Sequence, residues 1–166
     1  MQKLKALQTL RTTAIGLLLV SMAVNSHAHG DVTPQPVDTT GLKALGTDWL
    51  EANPYSGNEQ AIKIGAVGYL HNCAGCHGLN AISGGIAPDL LQFNKGCART
   101  ASAKMKASCM KDNDTYFKDI TLKGKKTSAG RYTMPAYEEV FTQEAVWAIK
   151  SYIEARTAEE LAKQTD

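Results

Sequence analysis

Two cysteines and a histidine within five residues constrain this chain more than any other feature. The run is Cys73-Ala74-Gly75-Cys76-His77, a spacing typical of covalent c-type haem attachment. Both thiols can add to the vinyl groups on one edge of a porphyrin, while the adjacent imidazole is held beneath the iron. Because the run occurs once, we expect one covalently bound haem c, with His77 as its proximal ligand.

A CxxC pair can also form a redox-active disulfide or half of a zinc site. The remaining histidines, His27, His29 and His71, all precede the motif, and no second CxxC follows it. No thioredoxin-like βαβ pattern surrounds the motif either. The residues therefore favour haem attachment.

Residues 1–28 have the pattern of an export signal. Three basic residues precede an apolar run over residues 14–24, and small residues follow at the cleavage position. The run is short for a membrane span, although an uncleaved anchor is the alternative. We therefore predict a protein of the periplasm, where disulfides persist and c-type haem is installed, without stable membrane insertion after cleavage.

The residues after the signal amount to one domain. They carry 15 Lys and Arg against 16 Asp and Glu, and no nucleic-acid motif. Prolines without sustained periodicity predict an irregular N-terminal extension over residues 29–57, with apolar residues that can pack. We assign residues 58–157 to a monohaem domain and residues 158–166 to a C-terminal tail.

Three helices and no strand are predicted. The first runs over residues 58–72, with one side formed by Ala61, Gly65, Tyr69 and Cys73. A glycine is costly inside a helix, so Gly65 indicates close approach of another helix, unless it is a tolerated surface glycine. Thr142 can cap a last helix over residues 143–156. A further helix is expected from Asp112 or Asp114 through Leu122.

Met134 is the predicted second axial ligand. It precedes Pro135 in a loop just before the last helix, whereas Met105 and Met110 lie in a lysine-rich stretch beside cysteines. A thioether favours ferrous iron and raises the reduction potential above that of a bis-imidazole haem. The alternative is a core methionine that fills a gap, which would leave the iron five-coordinate or bound by lysine.

Cys97 and Cys109 lie outside the haem motif. In an exported protein, two leftover cysteines most simply form a disulfide, which here would close a short lysine-rich insert. A metal site or two free thiols are the alternatives, although one cysteine pair supplies too few ligands for closed zinc coordination.

Together these features resemble the class I cytochrome c family, over about residues 58–156. The resemblance implies an all-α class I cytochrome c fold around one haem, in which the first and last helices cross near Gly65 and Tyr152. It also implies that the Pro88 carbonyl accepts a hydrogen bond from the His77 imidazole, unless Pro88 is only a turn residue. The N-terminal extension and the insert with Cys97 and Cys109 depart from the smallest members.

The run from Cys73 to Leu90 and the extra cysteine pair are similar to the cytochrome c-550 group. That similarity implies an electron-transfer protein rather than an enzyme. Its donor would be a periplasmic quinoprotein (PQQ-dependent) alcohol dehydrogenase and its acceptor a terminal oxidase or another cytochrome, and we expect a monomer. The alternatives are a general cytochrome c serving another dehydrogenase, or a haem peroxidase or ligand sensor with an open iron.

The charges are segregated along the chain. Residues 95–131 hold ten Lys and Arg against three acids, and the rest of the chain after residue 28 holds five against thirteen. The family fold would place this basic segment beside the haem crevice, where it can steer docking onto an acidic partner. Solvated surface charge without a partner is the alternative. The candidate docking residues are Lys118, Lys123, Lys125, Lys126 and Arg131.

Overall fold

Five helices and one short hairpin form the part of the chain that the computed structural model describes, residues 33–164. The signal predicted at residues 1–28 lies outside it. The elements are α1 (Glu59–Asn72), α2 (Ala74–His77), a single 3-10 turn (Leu79–Ala81), α3 (Leu91–Ala98), α4 (Ala103–Lys123), β1 (Lys125–Lys126), β2 (Tyr132–Met134) and α5 (Gln143–Ala162). Across residues 33–164, no helix combines the length and the apolar character needed to cross a membrane.

The first and last helices, α1 and α5, cross in direct backbone contact. A Cβ atom added at Gly65 would lie only 1.9 Å from the carbonyl oxygen of Ala148. The predicted close approach at Gly65 is therefore confirmed, and this glycine is buried rather than exposed. One turn further along α5, the ring of Tyr152 packs against Tyr69, with 5.2 Å between the ring centroids.

Both crossing helices begin where their caps predict. The Asn58 side chain accepts a hydrogen bond from the Ala61 amide at 2.9 Å, and Thr142 caps α5 in the same way. However, α5 continues beyond residue 156, supported by ion pairs such as that of Arg156 with Glu160. The first residues of the predicted tail at 158–166 therefore belong to this helix.

The middle of the chain is more helical than predicted. The Ser102 hydroxyl caps α4 by accepting a hydrogen bond from the Met105 amide. This helix therefore begins well before the predicted start at residue 112 or 114. Lysine, alanine and methionine are good helix formers, and the disulfide between Cys97 and Cys109 joins α4 to α3. Helix α3 was not predicted, although the Asp89 carboxylate accepts a hydrogen bond from the Leu91 amide at 2.9 Å at its start.

The hairpin of β1 and β2 corrects the expectation that no strand forms. Its strands have two and three residues and pair antiparallel with a bulge. Strands this short carry no alternating pattern of apolar residues. They pair across a tight turn at residues 127–130, in which Gly130 has positive φ, while Gly124, also with positive φ, ends α4 directly before β1.

The irregular extension, residues 33–57 of the described chain, packs against the start of α5. Tyr55 is buried in a cluster with Ala61, Trp147 and Ala148. The amides of Leu45 and Leu50 donate to side chains at the start of α5, at 2.7 Å each. The extension therefore covers one face of the domain, while its Trp49 remains 38% exposed.

A buried lysine links the extension to two helices. Lys150 of α5 is only 2% exposed and forms ion pairs with Asp114 of α4 at 2.7 Å and with Glu154 at 2.8 Å. From the extension, the Asn53 amide donates to Asp114 at 2.9 Å, and its side chain donates to Glu154 at 3.3 Å. These contacts satisfy charges that would be costly to bury alone.

We expect Gly65→Ala to lower the free energy of unfolding by about 1–3 kcal/mol, because the added methyl group forces α1 and α5 apart. Denaturant unfolding followed by circular dichroism measures the effect. Gly96→Ala in α3 is the matched control, since a Cβ there meets nothing within 4 Å and alanine favours a helix. Equal stability of the two variants would contradict the close crossing.

The double variant Cys97→Ser/Cys109→Ser should be less stable than the natural chain by about 3 kcal/mol, because the disulfide no longer restricts the unfolded state. The same denaturant titration measures the difference. A thiol reductant should destabilise the natural chain by a similar amount and leave the double variant unaffected. A reductant effect on the double variant would show that the loss has another origin.

Candidate haem-binding site

A cavity of about 480 Å³ lies between the CxxCH motif and the C-terminal half of α4. Its volume is in the range of cofactor sites. All five residues singled out from the sequence, namely Cys73, Cys76, His77, Pro88 and Met134, line it. Its apolar walls include Leu90, Phe93, Phe117, Ile120, Tyr137 and Ile149.

The motif lies at the end of α1 and continues into the single turn of α2. The Cys73 amide donates to the Tyr69 carbonyl at 2.8 Å, and the His77 amide donates to the Cys73 carbonyl at 2.9 Å. No disulfide joins Cys73 to Cys76 within the described chain. Burial, followed by the neighbouring Cys76, raises the pKa of the Cys73 thiol to about 12, which disfavours a redox-active thiolate at this position.

The orientation of His77 is set by a backbone contact. Its Nδ1 atom lies 2.8 Å from the carbonyl oxygen of Pro88. A carbonyl can only accept a hydrogen bond, so Nδ1 carries the proton in this contact. Nε2 is then the nitrogen that can bind a metal.

Met134 enters the cavity from the hairpin. It is paired with Lys125 across the strands, and the end of α4 packs tightly against its loop. A Cβ at Gly124, where φ is +66°, would lie 2.5 Å from the Met134 carbonyl oxygen. Met105 is 63% exposed on α4, and neither it nor Met110 lines the cavity.

Two tyrosines that were not predicted as site residues form hydrogen bonds at the two ends of the motif. The Tyr69 hydroxyl donates to the Gly78 carbonyl, and the Tyr137 hydroxyl donates to the Asn72 carbonyl, at 2.7 Å each. The only sequence signal for Tyr137 is its position three residues after Met134. Neither hydrogen bond can be inferred from the periodicity of the sequence.

The rim of the cavity on the methionine side is basic. Lys125 and Lys126 are exposed and line it, and the Lys126 ammonium lies 4.4 Å from the centre of the Tyr132 ring. Arg131 is exposed in the same hairpin. By contrast, Lys123 pairs with Asp119 at 3.4 Å, and Lys118 is only half-exposed.

Comparison with known proteins identifies the family of this chain. The family model described as cytochrome C oxidase, cbb3-type, subunit III matches residues 60–153. Cytochrome c550 of Pseudomonas aeruginosa is 42% identical over 144 residues, which cover 84% of this chain and 87% of that protein. No solved structure matches the chain.

The chain belongs to the class I c-type cytochromes. Within that family it is a member of the c-550 group.

The protein is therefore an electron-transfer protein that holds one covalently bound haem c. The donor set fits this cofactor, because two thiols, an imidazole and a thioether line one apolar cavity. The helical fold and the disulfide of the insert, both expected from the sequence, are confirmed.

Proposed function

We propose that this protein is a periplasmic one-electron carrier, reduced by a quinoprotein alcohol dehydrogenase and oxidised by a terminal oxidase or another cytochrome. The observation that carries the proposal is that His77 and Met134 line the same apolar cavity as both motif cysteines. When bound, the haem supplies reversible one-electron chemistry at its iron. The cytochrome c550 similarity and the pattern of residues 1–28 support the periplasmic location.

In this proposal each site residue has a separate task. Cys73 and Cys76 would attach the cofactor, and His77 and Met134 would bind its iron. The Pro88 carbonyl fixes the His77 tautomer and increases its donor strength. The surrounding apolar walls keep water from the ligand positions, which favours electron transfer over the binding of small molecules.

The basic rim is the proposed docking surface for the donor. Lys125 and Lys126 lie directly at the cavity, and within the described residues no carboxylate forms an ion pair with either lysine. Their charge is therefore available to an acidic partner. Such charges raise the association rate more than the final affinity, and salt screens them.

Met134→Ala should abolish the near-infrared charge-transfer band of a sulfur-ligated ferric haem and lower the reduction potential, because the soft sixth ligand is lost. Absorption spectroscopy and a redox titration measure both effects. Met105→Ala is the control, since this side chain is exposed on α4 and should change neither value. A band that survives in Met134→Ala would exclude Met134 as the ligand.

Stopped-flow reduction of the ferric protein by a quinoprotein alcohol dehydrogenase and ethanol tests the donor. We expect fast reduction that slows with salt, and a decrease of about tenfold at low salt in Lys125→Glu/Lys126→Glu, because the attractive field is reversed locally. Lys43→Glu/Lys63→Glu changes the net charge equally at exposed positions away from the cavity lining. Its rate should stay close to that of the natural chain.

Two results would contradict the proposed electron donor and the proposed docking surface. Slow reduction of the natural chain at all salt concentrations would exclude the alcohol dehydrogenase as a dedicated donor. Equal slowing of the two charge variants would show that overall charge, rather than the basic rim, governs the encounter.

A further inference from the structure

The haem motif is held at both of its ends by tyrosine hydroxyls. Asn72 directly precedes Cys73, and its carbonyl accepts from the Tyr137 hydroxyl at 2.7 Å in a buried contact. Gly78 directly follows His77, and its carbonyl accepts from the Tyr69 hydroxyl at 2.7 Å. Burial raises the pKa of both hydroxyls above their usual range, so both remain protonated donors.

The two tyrosines differ in the segment from which they come. Tyr69 belongs to α1, the helix that leads into the motif, so its hydrogen bond is local. Tyr137 follows Met134 by three residues, and its bond spans 65 residues of sequence. The Tyr137 hydroxyl is therefore a side-chain tether from the loop of Met134 to the peptide that carries His77.

The backbone and the ring of Tyr137 are fixed independently of this hydroxyl. Its amide donates to the Thr121 and Leu122 carbonyls of α4, at 3.1 Å each. Its ring stacks on Phe141, with 4.5 Å between the centroids. Removal of the Tyr137 hydroxyl alone should therefore preserve the packing of the ring. It leaves the Asn72 carbonyl without this hydrogen-bond donor.

We propose that Tyr137 is a positioning residue that holds Met134 against the iron through its bond to the Asn72 carbonyl. The inference rests on the proposed ligation of iron by Met134. A buried hydrogen bond of this kind has a free-energy value that corresponds to about a tenfold change in an equilibrium. Without it, conformers in which Met134 is displaced become more populated.

Imidazole binding to the ferric haem protein measures how easily Met134 is displaced, because the external ligand binds only when the methionine leaves. Tyr137→Phe should bind imidazole about tenfold more tightly than the natural chain. Tyr69→Phe is the matched control, since it removes the hydroxyl at the other end of the motif and leaves the Met134 loop tethered. We expect both variants to unfold at a lower temperature, but only Tyr137→Phe to change imidazole affinity.

A second variant carries 3-fluorotyrosine at position 137. This residue keeps the ring and is a stronger donor, so imidazole binding should become weaker than in the natural chain. It gives a result even if Tyr137→Phe accumulates poorly.

The possible outcomes distinguish the positioning role of Tyr137 from the proposed ligation of iron by Met134. The positioning role would be overturned if Tyr137→Phe bound imidazole with the affinity of the natural chain, or if Tyr69→Phe bound it equally more tightly. In either case, a near-infrared sulfur-to-iron band in the natural protein would still support ligation by Met134. Absence of that band in the natural protein would overturn the ligand assignment, and the inference with it.

Discussion

The contact between Gly65 of α1 and the Ala148 carbonyl of α5 determines the geometry on which the site depends. α1 leads directly into Cys73, and α5 follows the Met134 loop and contributes Ile149 to the cavity wall, so both helices help to position the cavity. Close backbone approach fixes their relative position more firmly than interdigitated long side chains could. The relative position of the motif and the Met134 loop therefore depends in part on a glycine that does not line the cavity.

The predicted site residues have local chemical reasons, whereas parts of the fold around them do not. The CxxCH spacing, Met134 before a proline and Gly65 inside a helix can each be argued from neighbouring residues, and the structure places Met134 and the CxxCH residues around one cavity. Asn58 and Thr142 predict the starts of α1 and α5 because caps are local hydrogen bonds. Nothing comparable marks the end of α5, where side-chain ion pairs extend the helix.

The elements and contacts that were not predicted from the sequence depend on pairing between distant segments. α3 and the first half of α4 are joined by the Cys97–Cys109 disulfide, and the hairpin depends on turns packed against the Met134 loop. Tyr137 bonds to a carbonyl 65 residues away. Local propensity carries no information on such pairings, because tertiary contacts rather than periodicity select them.

The buried Lys150 of α5 couples the docking of α5 to that of α4. Its counter-charges and their hydrogen-bond donors come from α4, from α5 and from the extension through Asn53. An intermediate in which α5 is buried before α4 packs lacks Asp114, one of the two counter-charges of Lys150, and breaking a buried ion pair in this way costs about 3–5 kcal/mol. Asn53 of the extension donates to both carboxylates that pair with Lys150, so the extension adds to the stability of this cluster, and forms of the domain with α4 undocked are sparsely populated.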